Sequence, residues 1–449
     1  MPATTVIAPP PAKGPLERLL SPIADVRPGE AGSALLLTLL MFLLLGSYYM
    51  LKTAREVFIL SSGGAEVKSY SSAGQALLLL LIVPAYGAFA GRVRRATLVT
   101  SVSLFFAANI LIFAVAARAQ LPIGVPYFLW LGIYNVMVIA QFWAFANDIY
   151  TKDQGKRLFP LIGVGSSLGA WVGSMRAGTL MASSGPIRLL LGGAAILVVC
   201  AGLARLVDAW TVRAQSPAQA AAAGEPVGTG QSGFGMLFSD RYLMSIALLV
   251  MLLNVVNSTG EYLFGRYVVQ SAIAAHGAGE AAAAARGQFI GEAYSSFYSV
   301  TNLVGLLLQM FAVSAVFRFL GVGRALFIHP FIAAAGYLMM LRAPSFEAMR
   351  WLKTADNAVD YSLGNTTKQA LWLPTSRQAK YKAKQAVDSF CVRAGDVIQA
   401  GIVYTGELAA FSIPVFATLN LVLTGAWLAT ASSLNRRLSR DERSSSTPL

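Results

Sequence analysis

Charge is what this sequence has least of: Asp, Glu, Lys and Arg make up 12% of its 449 residues, against 56% hydrophobic. So little charge cannot clothe a water-exposed surface of this size, and so much apolar content does not belong to a disordered chain. That excludes an ordinary soluble enzyme. Cysteine is nearly absent too. Cys200 and Cys391 are the only two, both in apolar stretches, and with no CxxC or repeated ligand spacing they give neither a disulfide framework nor a metal site. No GxxxxGK[ST] loop occurs, so a nucleotide-hydrolysing motor has no phosphate cradle. The first 32 residues contain Lys13, Arg18, Arg27 and several prolines, but no short apolar run ending in a small-residue cleavage site. They read as a cytosolic tail rather than a signal peptide.

What the chain does have is a series of apolar runs. A bilayer core of about 30 Å takes roughly 20 apolar residues per helix. Twelve crossings are expected, the first from Ala34 to Met50, the second from Ala73 to Ala90 and the last from Phe411 to Ser432. The tenth, from Phe346 to Leu371, and the eleventh, from Ala386 to Tyr404, are rich in polar groups that suit a water-filled interior. The fold class is therefore an all-α integral membrane protein with two six-helix halves. The expected layout is a tail over 1–32, one half over 33–209, a cytosolic linker over 210–240, the other half over 241–432 and a tail over 433–449.

Net charge is +14, from 35 Lys and Arg against 21 Asp and Glu. These cations are dispersed between the apolar runs and act as topology signals, so no nucleic-acid partner is expected. Arg92, Arg94 and Arg95, Lys152, Lys156 and Arg157, Arg377, Lys380, Lys382 and Lys384, and Arg436, Arg437, Arg440 and Arg443 fall on one side in an even-numbered count. The positive-inside rule then places both termini in the cytosol.

Gly165, Gly169 and Gly173 give the fifth segment a close-packing face. The stretch GVGSSLG around them is no dinucleotide site, because no alternating strands and helices surround it.

Polar residues within the apolar architecture are the candidate site. Lys353, Asp356, Asn357, Asp360, Tyr361, Gly364 and Lys368 recur at three- and four-residue intervals, which gathers them onto one side of the tenth segment. Asp388, Arg393, Asp396 and Gln399 stand in the eleventh. Arg393 suits a phosphate or carboxylate, since a guanidinium binds either in a bidentate way. Lys52, Arg55 and Glu56 stand beside the first segment, with Lys52 placed to snorkel to an interface and Arg55 placed to face the cavity on the next turn. Asn257, Glu261 and Arg266 form a cluster in the seventh, with Glu261 able to balance Arg55. Lys52, Arg55, Asn257, Lys353, Asn357, Tyr361, Lys368 and Arg393 are the substrate-binding candidates. Glu56, Glu261, Arg266, Asp356, Asp360, Asp388 and Asp396 are the candidates for gating and charge coupling. Aromatic groups in WAFAN and along the tenth segment offer faces for a planar substrate, or simply pack helices.

The segments YYMLKTAREVFIL, FWAFANDIYTKDQGKRLFPLIGVGSSLGA and LWLPTSRQAKYKAKQAVDSFCVRAGDVIQA, in that order, resemble the ATP/ADP translocase family of plastids and obligate intracellular bacteria. The resemblance spans about Tyr48 to Thr405. It implies a major facilitator-like fold and nucleotide exchange by alternating access. The family's first-helix Arg-Asp-Thr-Lys-Asp corresponds by order to Lys52, Thr53, Ala54, Arg55 and Glu56, with Thr53 replacing an acid. Its seventh-helix Asn and Glu resemble Asn257 and Glu261. Its Gly-Lys-Ser-Gly is not reproduced by RAGD here, where Arg393 stands nearby.

The resulting expectation is a transporter in a bacterial inner membrane, with no catalytic residues, metal or cofactor. ATP, ADP or a related phosphorylated organic anion is then the cargo. Two other readings use the same residues: an ion-coupled carrier of another organic anion, and a membrane receptor or scaffold that binds nucleotide without moving it. One polypeptide is long enough to complete the path, so no dimer is assumed.

Overall fold

In lipid, backbone N–H and C=O groups must be satisfied within their own segment, and the sequence answers with helix. The computed structural model describes residues 14–21, 24–90, 95–212, 233–342, 345–376, 379 and 383–445, and no strand occurs among them. A short α1 (Pro15–Leu20) precedes α2 (Ala31–Ala90), a helical run broken at Gly64. There φ is 72° and ψ is −172°, a conformation essentially reserved for glycine. The chain doubles back at the break. Its first arm, 31–63, brings Phe58 against Gly124, while its second, 65–90, brings Gln75 against Gly132 further along the same neighbouring helix.

Four more helices complete the first half: α3 (Arg95–Arg118), α4 (Gly124–Ile149), α5 (Lys152–Ser184) and α6 (Pro186–Val212). The second half opens with the short α7 (Gly233–Ser239) and continues with α8 (Arg241–His276). Next, α9 (Ala283–Leu307) passes through a π turn into α10 (Val313–Ala325), and α11 (Ile328–Met340) comes after it. A π turn over Asp360–Gly364 joins α12 (Phe346–Val359) to α13 (Asn365–Ala370). Another, over Val387–Cys391, joins α14 (Lys384–Ala386) to α15 (Val392–Leu408), and α16 (Ile413–Ser445) ends the series.

Taken as continuous rods, the two arms of α2 with α3 to α6 make six. The second half gives six more: α8, α9 with α10, α11, α12 with α13, α14 with α15, and α16. Eight helical stretches among the described residues are long and apolar enough to cross a membrane. Their outward faces carry large apolar side chains in the open, such as Leu81 at 73%, Ile112 at 67% and Val422 at 67% exposure, which is a surface for lipid rather than water. The protein is a multi-pass membrane protein.

The structure moves three expected boundaries. The first segment does not stop at Met50, nor does the second wait for Ala73; helix continues through both stretches. Lys52, Arg55, Glu56, Glu66, Lys68 and several serines lower the local hydropathy there, yet much of that polarity faces inward. The last helix likewise runs on to Ser445, past 432. Most of the expected 210–240 linker lies outside the described residues, as do Arg92, Arg94, Arg377, Lys380 and Lys382, and the side chains of Arg95, Lys152, Lys156, Arg440 and Arg443.

The glycine face of α5 is a packing surface. A Cβ on Gly165 would stand 2.7 Å from the Thr38 carbonyl oxygen, one on Gly169 would land on the Phe42 carbonyl, and one on Gly173 on that of Gly46. Backbone therefore meets backbone along α2 and α5, which run parallel in this register. At the starting end of both, Arg157 pairs with Glu30 at 2.8 Å and with Asp153 at 3.3 Å. Thr151 and Gln154 cap α5 reciprocally, and the Gln154 amide also donates to Glu30 Oε1. Burial pushes the Glu30 carboxyl up, but hydrogen bonds from Arg157, the Arg27 amide and Gln154, with the Arg157 charge, outweigh it and hold Glu30 at about 2.

Candidate functional site: a charged cavity between the halves

Between the halves lies a cavity of about 1130 Å³, its open mouth included. The first arm of α2 contributes Tyr48, Lys52 and Arg55, and the second arm Lys68, Ser69, Ser72 and Gln75. Phe128 of α4 completes that wall. Opposite stand Asn254, Asn257, Ser258, Glu261 and Tyr262 of α8, Tyr298 of α9, Tyr361 in the π turn, and Arg393, Asp396 and Gln399 of α15.

Positive charge is distributed unevenly among partners. Arg55 pairs with the fully buried Glu56, and Lys68 Nζ lies 2.7 Å from the other Glu56 oxygen. Arg393 pairs with Asp396 at 3.3 Å, and Asn254 donates to the same carboxylate at 2.8 Å. Lys52 differs. Its Nζ lies 4.2 Å from the centre of the Tyr298 ring and 5.2 Å from that of Tyr49, and among the described residues it makes no ion pair. It does not snorkel to an interface; it sits over aromatic faces inside the cavity.

The candidate residues sort into three groups. Lys52, Arg55, Asn257, Glu261, Tyr361, Arg393 and Asp396 line the cavity. A second group stands just behind it. Lys353 is 2% exposed and reaches Asn257 Oδ1 at 2.5 Å, Asp356 at 2.8 Å and Glu261 at 3.7 Å. Asn357 donates to Glu261 at 2.8 Å, and Glu56 accepts from Tyr298 at 3.1 Å. The third group faces elsewhere. Asp360 pairs with Lys368 at 3.3 Å beside His329, which is 3.1 Å from Asp356. Arg266 pairs with Glu407 at 3.0 Å, and Asp388 with Lys384 at 3.3 Å near the surface. Glu261 does not balance Arg55, which Glu56 takes instead; Glu261 faces Lys353 and Lys68.

Two π turns account for part of the sorting. Each inserts an extra residue into a helical turn and rotates the residues beyond it, so a stripe drawn at regular helical spacing splits. Tyr361 is turned to the cavity while Asp360 and Lys368 are turned to α11. In the other rod, Asp388 is separated from Arg393 and Asp396. WAFAN does not reach the cavity: Trp143 packs edge-on against Phe142 and Phe159 at 5.4 and 5.2 Å.

Sequence reasoning missed Lys68, Asn254, His329 and Glu407. The Gly63–Gly64 pair is a turn signal that would have placed Lys68 one turn into a new helix. The other three have no such signal, because only the fold gives them charged partners.

The contacts between the halves cluster from mid-helix to the Gly64 end. Ser295 donates to the Ser174 carbonyl at 2.8 Å, Gln399 donates to Ser69 at 3.2 Å, and a Cβ on Gly265 would lie 3.2 Å from Ala65. These contacts close the cavity on that side.

No protein-family model matches the chain. Curated relatives do. ADP,ATP carrier protein 1, chloroplastic, of Arabidopsis thaliana is 27% identical over 346 residues, covering 67% of this chain and 51% of the relative. ADP,ATP carrier protein 1 of Chlamydia pneumoniae is 22% identical, covering 67% and 64%. ADP,ATP carrier protein 2 of Chlamydia trachomatis serovar D is 24% identical, covering 87% and 85%. The relatives are ADP,ATP carrier proteins. The chain spans about half the length of the plastid carriers it matches. Among solved structures, the nucleoside transporter NupG superposes with a TM-score of 0.61 at 13% identity, covering 89% of this chain and 98% of that one. A bacterial homologue of the iron transporter ferroportin, in an inward-facing state, gives 0.61 at 13% identity, covering 88% and 98%. The fold is that of the major facilitator transporters. The likeness to the ADP,ATP carriers covers 67% to 87% of the chain.

Proposed function

We propose that this chain is a membrane nucleotide carrier that exchanges ATP and ADP, or a related phosphorylated solute, by alternating access across a bacterial inner membrane. Both termini lie in the cytosol in this reading. One observation carries it: cations from both halves, Lys52, Arg55 and Lys68 on one wall and Arg393 on the other, converge with tyrosines on one cavity. A phosphate chain fits the cations, and a base fits the rings of Tyr48 and Tyr361. The relatives' printed names supply the ATP and ADP.

No covalent step is involved. Buried charge in a membrane is costly unless paired, and Glu56, Glu261 and Asp396 pair Arg55, Lys68 and Arg393 when no substrate is present. Bound phosphate takes over part of that pairing. If the substrate-bound protein switches between its two openings more readily than the empty one, the departure of one nucleotide is tied to the entry of another.

The test uses sealed proteoliposomes loaded with ADP, reading the initial entry of labelled ATP against vesicles without internal nucleotide. Internal ADP is expected to accelerate entry, and excess external ADP to block it. Uptake driven by a proton gradient alone, with no internal nucleotide, would favour ion-coupled transport. Saturable binding with no flux in inserted, folded protein would favour a receptor.

A further inference from the structure

Among the described residues, Lys68 is the one cavity cation that pairs with carboxylates of both halves. It is 7% exposed; its Nζ lies 2.7 Å from Glu56 in its own half and 3.9 Å from Glu261 across the interface, and it donates to the Tyr294 hydroxyl at 3.4 Å. It stands one turn beyond Gly64, where the contacts that close the cavity on that side begin. Its place is thus both cavity wall and seam.

Each carboxylate that holds Lys68 also has a second cation. Glu56 keeps Arg55 and the Tyr298 hydroxyl, and Glu261 keeps Lys353 at 3.7 Å with the Asn357 amide at 2.8 Å. Removing Lys68 from this network therefore strands neither acid, whereas stranding a buried charge is the usual obstacle to breaking a buried pair. An anion entering the cavity competes for Lys68 with charge-assisted hydrogen bonds as strong as those it replaces.

We propose that Lys68 is both a ligand for the substrate's phosphoryl group and the lock on the gate at the Gly64 end. With the cavity empty, Lys68 ties the halves together through Glu56, Glu261 and Tyr294. With a phosphoryl group on Lys68, the tie across the seam is released and that end opens. The ligand role rests on the nucleotide reading; the lock does not.

The test measures the gate directly. In a Cys200→Ala/Cys391→Ala background, spin labels on Ser183→Cys and Gln288→Cys report the distance between the ends of α5 and α9 across the seam. Without nucleotide, the otherwise unaltered protein is expected to show one short distance, and saturating ADP to add a longer one. Lys68→Met is expected to show the longer distance without ADP and to bind labelled ADP at least tenfold more weakly. Lys68→Arg is expected to restore both. Glu261→Gln leaves Lys68 in place and tests the lock separately; it is expected to open the same gate. A single short distance in both Lys68→Met and Glu261→Gln would overturn the lock. Opening by Lys68→Met, with no ADP response in the unaltered protein, would overturn the ligand role and count against the nucleotide reading while leaving the lock standing.

Discussion

Among the described residues Lys52 has no carboxylate partner and sits over the ring of Tyr298, so an incoming anion meets a cation it need not first release. Replacing it with methionine is expected to raise the half-saturation concentration for nucleotide about tenfold, equivalent to about 1.4 kcal/mol. Concentration-dependent uptake checks this, and an unchanged value contradicts it. Glu30 makes a different prediction at the start of α2. Its carboxyl is held at about 2, against an ordinary 4.5, once the Arg157, Arg27 and Gln154 bonds outweigh burial. A lowered pKa means that its contribution to stability is complete above about 4.5 and is lost as pH falls towards 2. Melting temperatures of the purified protein are expected to fall across that window, and Glu30→Gln to flatten this part of the fall. An equal acid slope in the variant would count against the Glu30 network.

At the scale of elements, the glycines of α2 and α5 do the work that apolar side chains do elsewhere. Gly169→Ala puts a Cβ onto the Phe42 carbonyl, a rigid neighbour, and overpacking of this kind is expected to cost about 1–3 kcal/mol. Gly64→Ala forces a conformation that other residues rarely adopt, at a similar cost of about 1–3 kcal/mol. Thermal unfolding in detergent or nanodiscs tests both, and a melting temperature unmoved in either variant contradicts the local account. The rods themselves were legible, because an apolar run long enough to span lipid has little choice but helix. Rotation within a rod was not. The stripe from Lys353 to Lys368 reads as one face until the π turn at Asp360–Gly364 divides it, and nothing in the residue types announces that extra residue. The helix over 51–72 is hidden for the opposite reason, since groups that face a polar cavity look, in sequence, like groups that face water.

On the scale of the whole molecule, the halves are joined from mid-helix to the Gly64 end, with an ion network at the seam and a cavity above it. Such an arrangement exchanges cargo only if the empty protein switches more slowly than the loaded one. Nucleotides are the cargo in the proposed reading, for which the cations of both walls supply the chemistry. The most direct measurement is dual-label flux through the purified protein in sealed vesicles, counting ATP entering and ADP leaving in the same interval. The account predicts one ADP out for each ATP in, with little ADP leaving when no nucleotide is outside. ATP entry at the same rate into vesicles holding no nucleotide would contradict it.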